Sequence, residues 1–191
     1  MKNKTMAKIS VYSVSTGDDI RKAVEGKADW ICMDFTPDSP RFVSMMPTHA
    51  GIIPDRANDD LPIAVQMMPK KMGVFADEMP QNIVTRVVNY QLDIVLLNGN
   101  ETPTLLRNLR RTLDPDIRPG IMFIKRIGIS SADNVSDYSE FNDCVDYFLF
   151  QLDSESDQCG AFQGCDAIEL NGIDSGRKTE RYFIIRPTRR Q

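Results

Sequence analysis

The stretch "VDYFLFQLD", Val145 to Asp153, is an apolar run that stops at a glutamine. Its β-branched and aromatic residues follow a polar segment, the pattern of a strand buried on both faces. Such strands belong to parallel sheets, where ligands gather at the carboxyl ends of the strands. A carboxylate at that point would exchange a proton near neutral pH; the amide of Gln151 does not. Asp153 has the same side-chain parity but lies about 6.5 Å further along if the strand continues. Few other residues have the means for chemistry. His49, the only histidine, stands in "MMPTHAG" without a clustered carboxylate or thiol, which argues against a metal ligand. Cys32, Cys144, Cys159 and Cys165 have none of the close pair spacings of a zinc site and read as ordinary reduced thiols. No metal and no other cofactor is expected.

Composition narrows the class. The 191 residues suit a single domain over 1–191 with a sizeable core. Hydrophobic residues at 41% and charged ones at 26% are ordinary for a soluble globular protein, and no apolar stretch approaches the roughly 20 residues of a membrane helix. The start "MKNKTMAKIS" has no apolar signal core, so a cytoplasmic location is expected. A net charge of -4 gives no field for gripping nucleic acid, and the basic ending "RPTRRQ" is short enough to be a solvated tail.

Strand-like runs alternate with amphipathic stretches along the chain. "AKISVYSV" reads as a strand and "TGDDIRKAVEGKA" as a helix capped by Thr or Asp. "DWICMDF" is the second strand, followed by the loop "TPDSPRFV" and an irregular, Pro-rich stretch from Ile52 to Lys71. "KMGVFAD" is a strand, and "EMPQNIVTRVVNYQ" places Ile83, Val87 and Val88, with Val84, on one helical face. "LDIVLLNG" precedes a helix in which Leu105, Leu106, Leu109 and Leu113 recur and Thr102 is a plausible cap. "PGIMFIKRIGI" is a strand, "SSADNVSDYSEFNDC" a weaker helix, and "VDYFLFQ" the sixth strand. This alternation predicts parallel β-α units. With no Gly-x-Gly-x-x-Gly or Walker sequence after the first strand, a barrel is favoured over a nucleotide-binding open sheet.

The segments "DWICMDFTPDSPRFV", "MGVFADEMPQNIV", "LDIVLLNGNETPTLLRNLR" and "VDYFLFQLD" resemble, in order and close to spacing, those of the phosphoribosylanthranilate isomerase family of tryptophan biosynthesis. The resemblance covers roughly Lys8 to Asp153. It implies an α/β fold, a TIM-type (β/α) barrel, and an Amadori rearrangement in which one group withdraws a proton and another protonates the ring oxygen. In the family the base is a cysteine in a Lys-x-Cys-Gly setting after the first strand, and the acid is an aspartate ending the sixth. Here the resemblance puts Ser10 at the base position, with Val11 for the glycine, and Gln151 at the acid position. The family's Gln-Leu-His-Gly appears as "LLNG", with Leu96 for the glutamine and Asn98 for the histidine. Arg41 in "SPRFV" stands where the family holds the anthranilate carboxylate, so Arg41 and Asn98 are the expected ligand contacts. Their plainer reading is a tethered loop arginine and a polar strand-end cap.

The end of the chain departs further. Phosphate in such barrels sits on glycine-rich loops after strands seven and eight. "RYFIIRPT" resembles the seventh strand, but Arg186 and Pro187 stand where the glycine pair should be. In a rival alignment "AIELNGIDSG" is the eighth strand and the seventh unit is absent. Either way the barrel is expected to lack about one β-α unit, leaving two open edges that the tail, the irregular stretch or a second copy of the chain would cover, and a homo-oligomer packed gap to gap is the expectation. Three functional readings follow: a degenerate isomerase kept for binding, regulation or assembly, with no catalytic residues; a working isomerase that recruits Asp34 or Asp153; or another small-anion enzyme acting through Arg41.

Overall fold

In the computed structural model, which describes residues 7–43, 68–127, 138–153, 167–171 and 180–185, the predicted alternation forms a ring of strands wrapped by helices. The strands are β1 (Ala7–Ser13), β2 (Trp30–Asp34), β3 (Lys70–Phe75), β4 (Ile94–Leu97), β5 (Met122–Ile127), β6 (Tyr147–Asp153), β7 (Ala167–Asn171) and β8 (Glu180–Ile185). The helices are α1 (Gly17–Glu25), α2 (Pro80–Tyr90) and α3 (Pro103–Leu113). Of the predicted weaker helix, residues 138–141 form a 3₁₀ turn, 142–144 a turn after it, and 130–137 lie outside the described residues. His49, Cys159, Cys165, the ending "RPTRRQ" and residues 52–67 of the irregular stretch also lie outside them.

Helix ends follow from local chemistry. Thr16 caps α1 in a reciprocal box with Asp19, satisfying backbone donors that have no partner within the first turn. Thr102 caps α3, its hydroxyl accepting from Leu105 N, and Pro103 opens the helix where no N–H is needed. α2 starts at Pro80 without a side-chain cap and stops at Gln91 in the left-handed conformation.

Strands β1 to β6 pair in parallel and in chain order. β7 pairs in parallel with β1, the place of the last strand of an eight-unit barrel. β8 fills the remaining gap by running antiparallel to both β6 and β7, so the ring closes. Both rival alignments therefore describe something real. "AIELN" occupies the eighth position, while "RYFII" occupies the seventh but in the opposite direction. The barrel is incomplete in its β-α units, not in its hydrogen-bonded ring. The open edges expected from the sequence are taken by β8, so no second copy is needed to pair them.

Two apolar layers divide the core by strand parity. Ile31, Met33, Phe35, Phe75, Val95, Leu97, Phe123, Phe148 and Phe150 face the helices and pack on Ile83, Val87, Leu106, Leu109 and Leu113. Val11, Trp30, Cys32, Met72, Val74, Ile94, Leu96, Ile124 and Leu149 fill the lumen. The predicted face of α2 needs one correction. Val88 is exposed, and Arg86 is buried in its stead, donating to Phe35 O at 3.1 Å and lying over the Phe35 ring. The run of valines hid which of them faced inward.

Candidate functional site

The residues that follow the lumen layer toward the strands' carboxyl ends form the mouth of the barrel. By parity these positions are Ser13 on β1, Asp34 on β2, Ala76 after β3, Asn98 after β4 and Arg126 on β5. The backbone of Gln151 is in register with Tyr182 of β8, two positions beyond Leu149 of the lumen. A polar rim thus stands on an apolar floor, the usual construction of a ligand pocket.

The structure separates the sequence-predicted residues. Ser10 does not belong to the mouth. Its hydroxyl donates to Asp29 Oδ2 at 2.8 Å and its backbone N–H to the same oxygen at 2.8 Å, while Asp29 N donates to the Ser10 carbonyl at 3.0 Å. Asp29 immediately precedes β2, and Ser10 is the middle residue of β1 with parity opposite to the lumen residue Val11, so this knot lies outside the lumen layer. Ser13, three residues on and of the same parity as Val11, holds the mouth position of β1. Sequence reasoning missed it by following motif spacing instead of parity.

Arg41 is brought over the end of β2 by a loop that folds back on itself. Ser39 N donates to Thr36 O, Phe42 N to Ser39 O, and Val43 N to Asp34 O at 2.7 Å, and Phe42 forms a parallel bridge with Asp34. The Asp34 carboxylate accepts from Thr36 N at 2.9 Å. Both charges reach the lumen. Burial first and the Asp34 charge second, opposed by Arg41, push the Cys32 thiol up to about 12. Cys32 is therefore an inert thiol, not a nucleophile.

Asn98 and Arg126 meet across β4 and β5, with Arg126 Nη1 donating to Asn98 Oδ1 at 2.7 Å. Arg126 went unnoticed in the sequence, although its parity with Ile124 was available. A buried ion pair braces both residues from the helix side. Lys125 Nζ donates to Glu101 Oε2 at 2.8 Å and to Gly99 O at 2.5 Å. Glu101 Oε1 accepts from Asp77 N at 3.0 Å and Gly99 N at 3.1 Å. Asp77, with φ 50°, accepts from Asn100 N at 2.6 Å. A Cβ on Gly99 would stand 2.5 Å from Asp77 N, so the latch requires glycine there. The alternation along each segment is functional: Lys125 and Gly99 build the latch, and their neighbours Arg126 and Asn98 face the mouth.

A cavity of about 740 Å³ lies elsewhere, against Arg107, Arg110, Asp143 and Asp146. Its arginines are already matched with those two carboxylates, so it offers an anion little. Among the described residues no group of three His, Cys, Asp or Glu is placed to hold a metal ion, and no helix is long and apolar enough to cross a membrane.

Comparison with known proteins agrees with this architecture. The chain is 29% identical over 177 residues to the N-(5'-phosphoribosyl)anthranilate isomerase of Parabacteroides distasonis, covering 93% of this chain and 71% of the relative. It is 29% identical over 170 residues to the enzyme of that name from Desulfitobacterium hafniense, covering 88% and 62%. Against the relative from Phocaeicola vulgatus it spans 58% of the length. Among solved structures, a phosphoribosylanthranilate isomerase in complex with reduced 1-(o-carboxyphenylamino)-1-deoxyribulose 5-phosphate superposes with a TM-score of 0.55 at 22% identity, covering 89% of this chain and 90% of that one. Monomers generated from the dimeric enzyme of Thermotoga maritima give 0.53 at 20% identity, covering 83% and 82%. No protein-family model matches the chain.

Proposed function

Because the chain belongs to the phosphoribosylanthranilate isomerase family, we propose that it is a degenerate member, a pseudoenzyme that keeps the barrel mouth to bind a small anionic molecule and has given up the Amadori rearrangement. The observation that carries this reading is the direction of β8. It starts at Glu180, level with Asp153 at the mouth, and ends at Ile185, level with Phe148 and Ala167. The carboxyl end of the seventh-position strand, Ile185, therefore lies at the face away from the mouth, opposite to the direction that sets a phosphate-binding βα loop over the site. The acid and base positions support the same conclusion. Gln151 has no proton to give near neutral pH, and Ser10, with parity opposite to the lumen residue Val11, is engaged by Asp29.

A working isomerase remains the second reading, favoured by one observation: Asp34 is a carboxylate at a mouth position, within electrostatic reach of Arg41's neighbourhood at Cys32. Turnover of phosphoribosylanthranilate by the purified protein separates the two. The unmodified protein and an Asp34→Asn variant are expected to match the protein-free background. Turnover that Asp34→Asn abolishes would establish the second reading and end the first. Binding is followed with reduced 1-(o-carboxyphenylamino)-1-deoxyribulose 5-phosphate, a two-anion probe, expected to raise the melting temperature.

A further inference from the structure

We infer that the groove between α2 and α3 is an interface between two copies of this chain, which set these helices face to face about a two-fold axis in a weak, reversible dimer. Such a dimer is independent of what the mouth binds. The gap-to-gap packing expected from the sequence has no open edges left to cover, since β8 pairs with both β6 and β7. The surface that lacks a partner lies on the helix layer instead. There the two helices leave a groove of about 660 Å³, lined by Pro80, Val84, Leu105 and Leu109 together with amide and hydroxyl side chains. Val88, one turn on from Val84, is 54% exposed, and Met79, the N-cap beside Pro80, is 64% exposed.

Three features make a second copy the occupant. The first is the lack of charge. Among the described residues that line the groove none is charged, and the exposed positions of α2, namely Gln81, Asn82, Thr85, Val88 and Asn89, carry no charge either, although 26% of the chain is charged. A face kept for solvent has no reason to avoid charge, whereas the core of an interface does, because a charge buried there is desolvated. Arg111, exposed one turn on from Asn108, is left for the rim. The second is self-complementarity. A two-fold interface sets a surface against its own image, where a carboxylate or guanidinium would meet its like. The amides of Gln81 and Asn108 and the hydroxyl of Thr104 both donate and accept, so they pair with their own kind. Helix α1, which exposes Asp18, Arg21, Lys22 and Glu25, does not meet this condition. The third is that knob and groove share one face. Met79 adjoins Pro80 of the groove, so a two-fold offers each methionine to its partner's groove, and a flexible thioether chain adapts to such a gap. Each helix has 11 residues, about 16 Å of length, so the face buries less than the roughly 800 Å² a side of a standard interface and the dimer is a weak one.

The test is sedimentation equilibrium on the full chain, from about 1 to about 300 μM, for the unmodified protein, Val88→Lys, Gln81→Lys and the control Val24→Lys. Val24 is an exposed apolar residue of α1, and its replacement changes the net charge by the same amount. All three positions are exposed, so the variants fold, and their melting temperatures check it. The chain has a net charge of -4, so an added lysine lowers the general repulsion between copies, and any loss of association reports the contact itself. The unmodified protein is expected to pass from monomer to dimer with a Kd on the order of 10 to 100 μM. Val88→Lys and Gln81→Lys should each raise that Kd at least about tenfold, because each brings two lysines into the uncharged face. Val24→Lys should change it by less than about twofold, as a distant site does. A monomer at every concentration would overturn the inference. So would a dimer that Val88→Lys and Gln81→Lys weaken no more than Val24→Lys does, since the copies would then meet elsewhere.

Discussion

The rim over β3, β4 and β5 and the closure by β7 and β8 solve opposite problems with the same kind of chain. The first keeps the β-α order: β3 and β4 are followed by α2 and α3, and the loops at its mouth are pinned by one buried ion pair, Glu101 with Lys125, only 1% and 5% exposed in their side chains. The second gives up that order. A strand running the wrong way satisfies the backbone hydrogen bonds of β6 and β7 and closes the lumen, but its own carboxyl end, Ile185, lies at the face away from the mouth. Ring closure and site construction are thus separable. Backbone pairing alone achieves the first, whereas the second needs strands that all end at the same face.

The contrast is tested most severely at the latch. Lys125→Met leaves Glu101 charged and buried, and losing one partner of such a pair costs about 3–5 kcal/mol. The guanidinium chloride midpoint should fall accordingly. The Glu101→Gln, Lys125→Met double variant should recover part of the loss, because no uncompensated charge remains. A single variant as stable as the parent would mean that the rim is held by its apolar packing instead.

The matching test on the other side is Phe183→Pro. β8 lies between two partners, so every N–H it loses orphans a carbonyl on β6 or β7, a cost of about 1–3 kcal/mol. Amide exchange is expected to accelerate in β6, β7 and β8 while β3, β4 and β5 keep their protection. Loss of protection in step across all strands would show that the closure and the rim unfold as one unit, and the comparison would collapse.

The sequence discloses these two regions unequally, for physical reasons. Periods of two and of 3.6 made the elements from Ala7 to Asp153 readable, and Thr102 was recognisable as a cap because cap chemistry is local. The direction of "RYFII" was not readable, since an apolar run has the same pattern in either direction. Its antiparallel pairing is decided by what the neighbouring strands need. The site was half legible. Arg41, Asn98, Gln151 and Ser10 were all placed by resemblance to the family, and Ser10, in the middle of β1 with parity opposite to Val11, is tied to Asp29 outside the lumen layer. Ser13 and Arg126 were within reach of parity counted from Val11 and Ile124. The buried latch was not, because Glu101 and Lys125 are 24 residues apart and ordinary charged residues in isolation.

A smaller effect is expected where α3 begins. Thr102→Ala removes the acceptor for Leu105 N and should cost about 1 kcal/mol, the usual worth of such a cap. Measured in the Lys125→Met background, the two losses should fall short of adding, since Glu101 is the chain neighbour of Thr102. Strict additivity would mean that helix start and latch are independent, and that the rim is less of a unit than the comparison assumes.

The smallest effect concerns the joint between the regions. Arg107 on α3 grips Asp143, just before β6, through Nε at 2.7 Å and Nη2 at 2.9 Å. The hydrogen bond from Arg107 holds the Asp143 carboxyl below its ordinary value of 3.8. A depressed carboxylate contributes stability above its unfolded pKa, and that contribution is lost as pH falls through the folded value. The pair therefore matters at neutral pH and disappears only under acid. Because both groups are solvent-exposed, the contribution is screened and salt-sensitive. Arg107→Gln should lower stability slightly at pH 7 in low salt and by less in 1 M salt, and its stability should converge on that of the parent below about pH 3. Amide exchange should place the loosening between α3 and β6. A difference that persists undiminished in acid would show that Arg107 acts through its second contact, the Glu140 carbonyl at 3.0 Å, which does not titrate, and that the joint is held by the backbone instead of by charge.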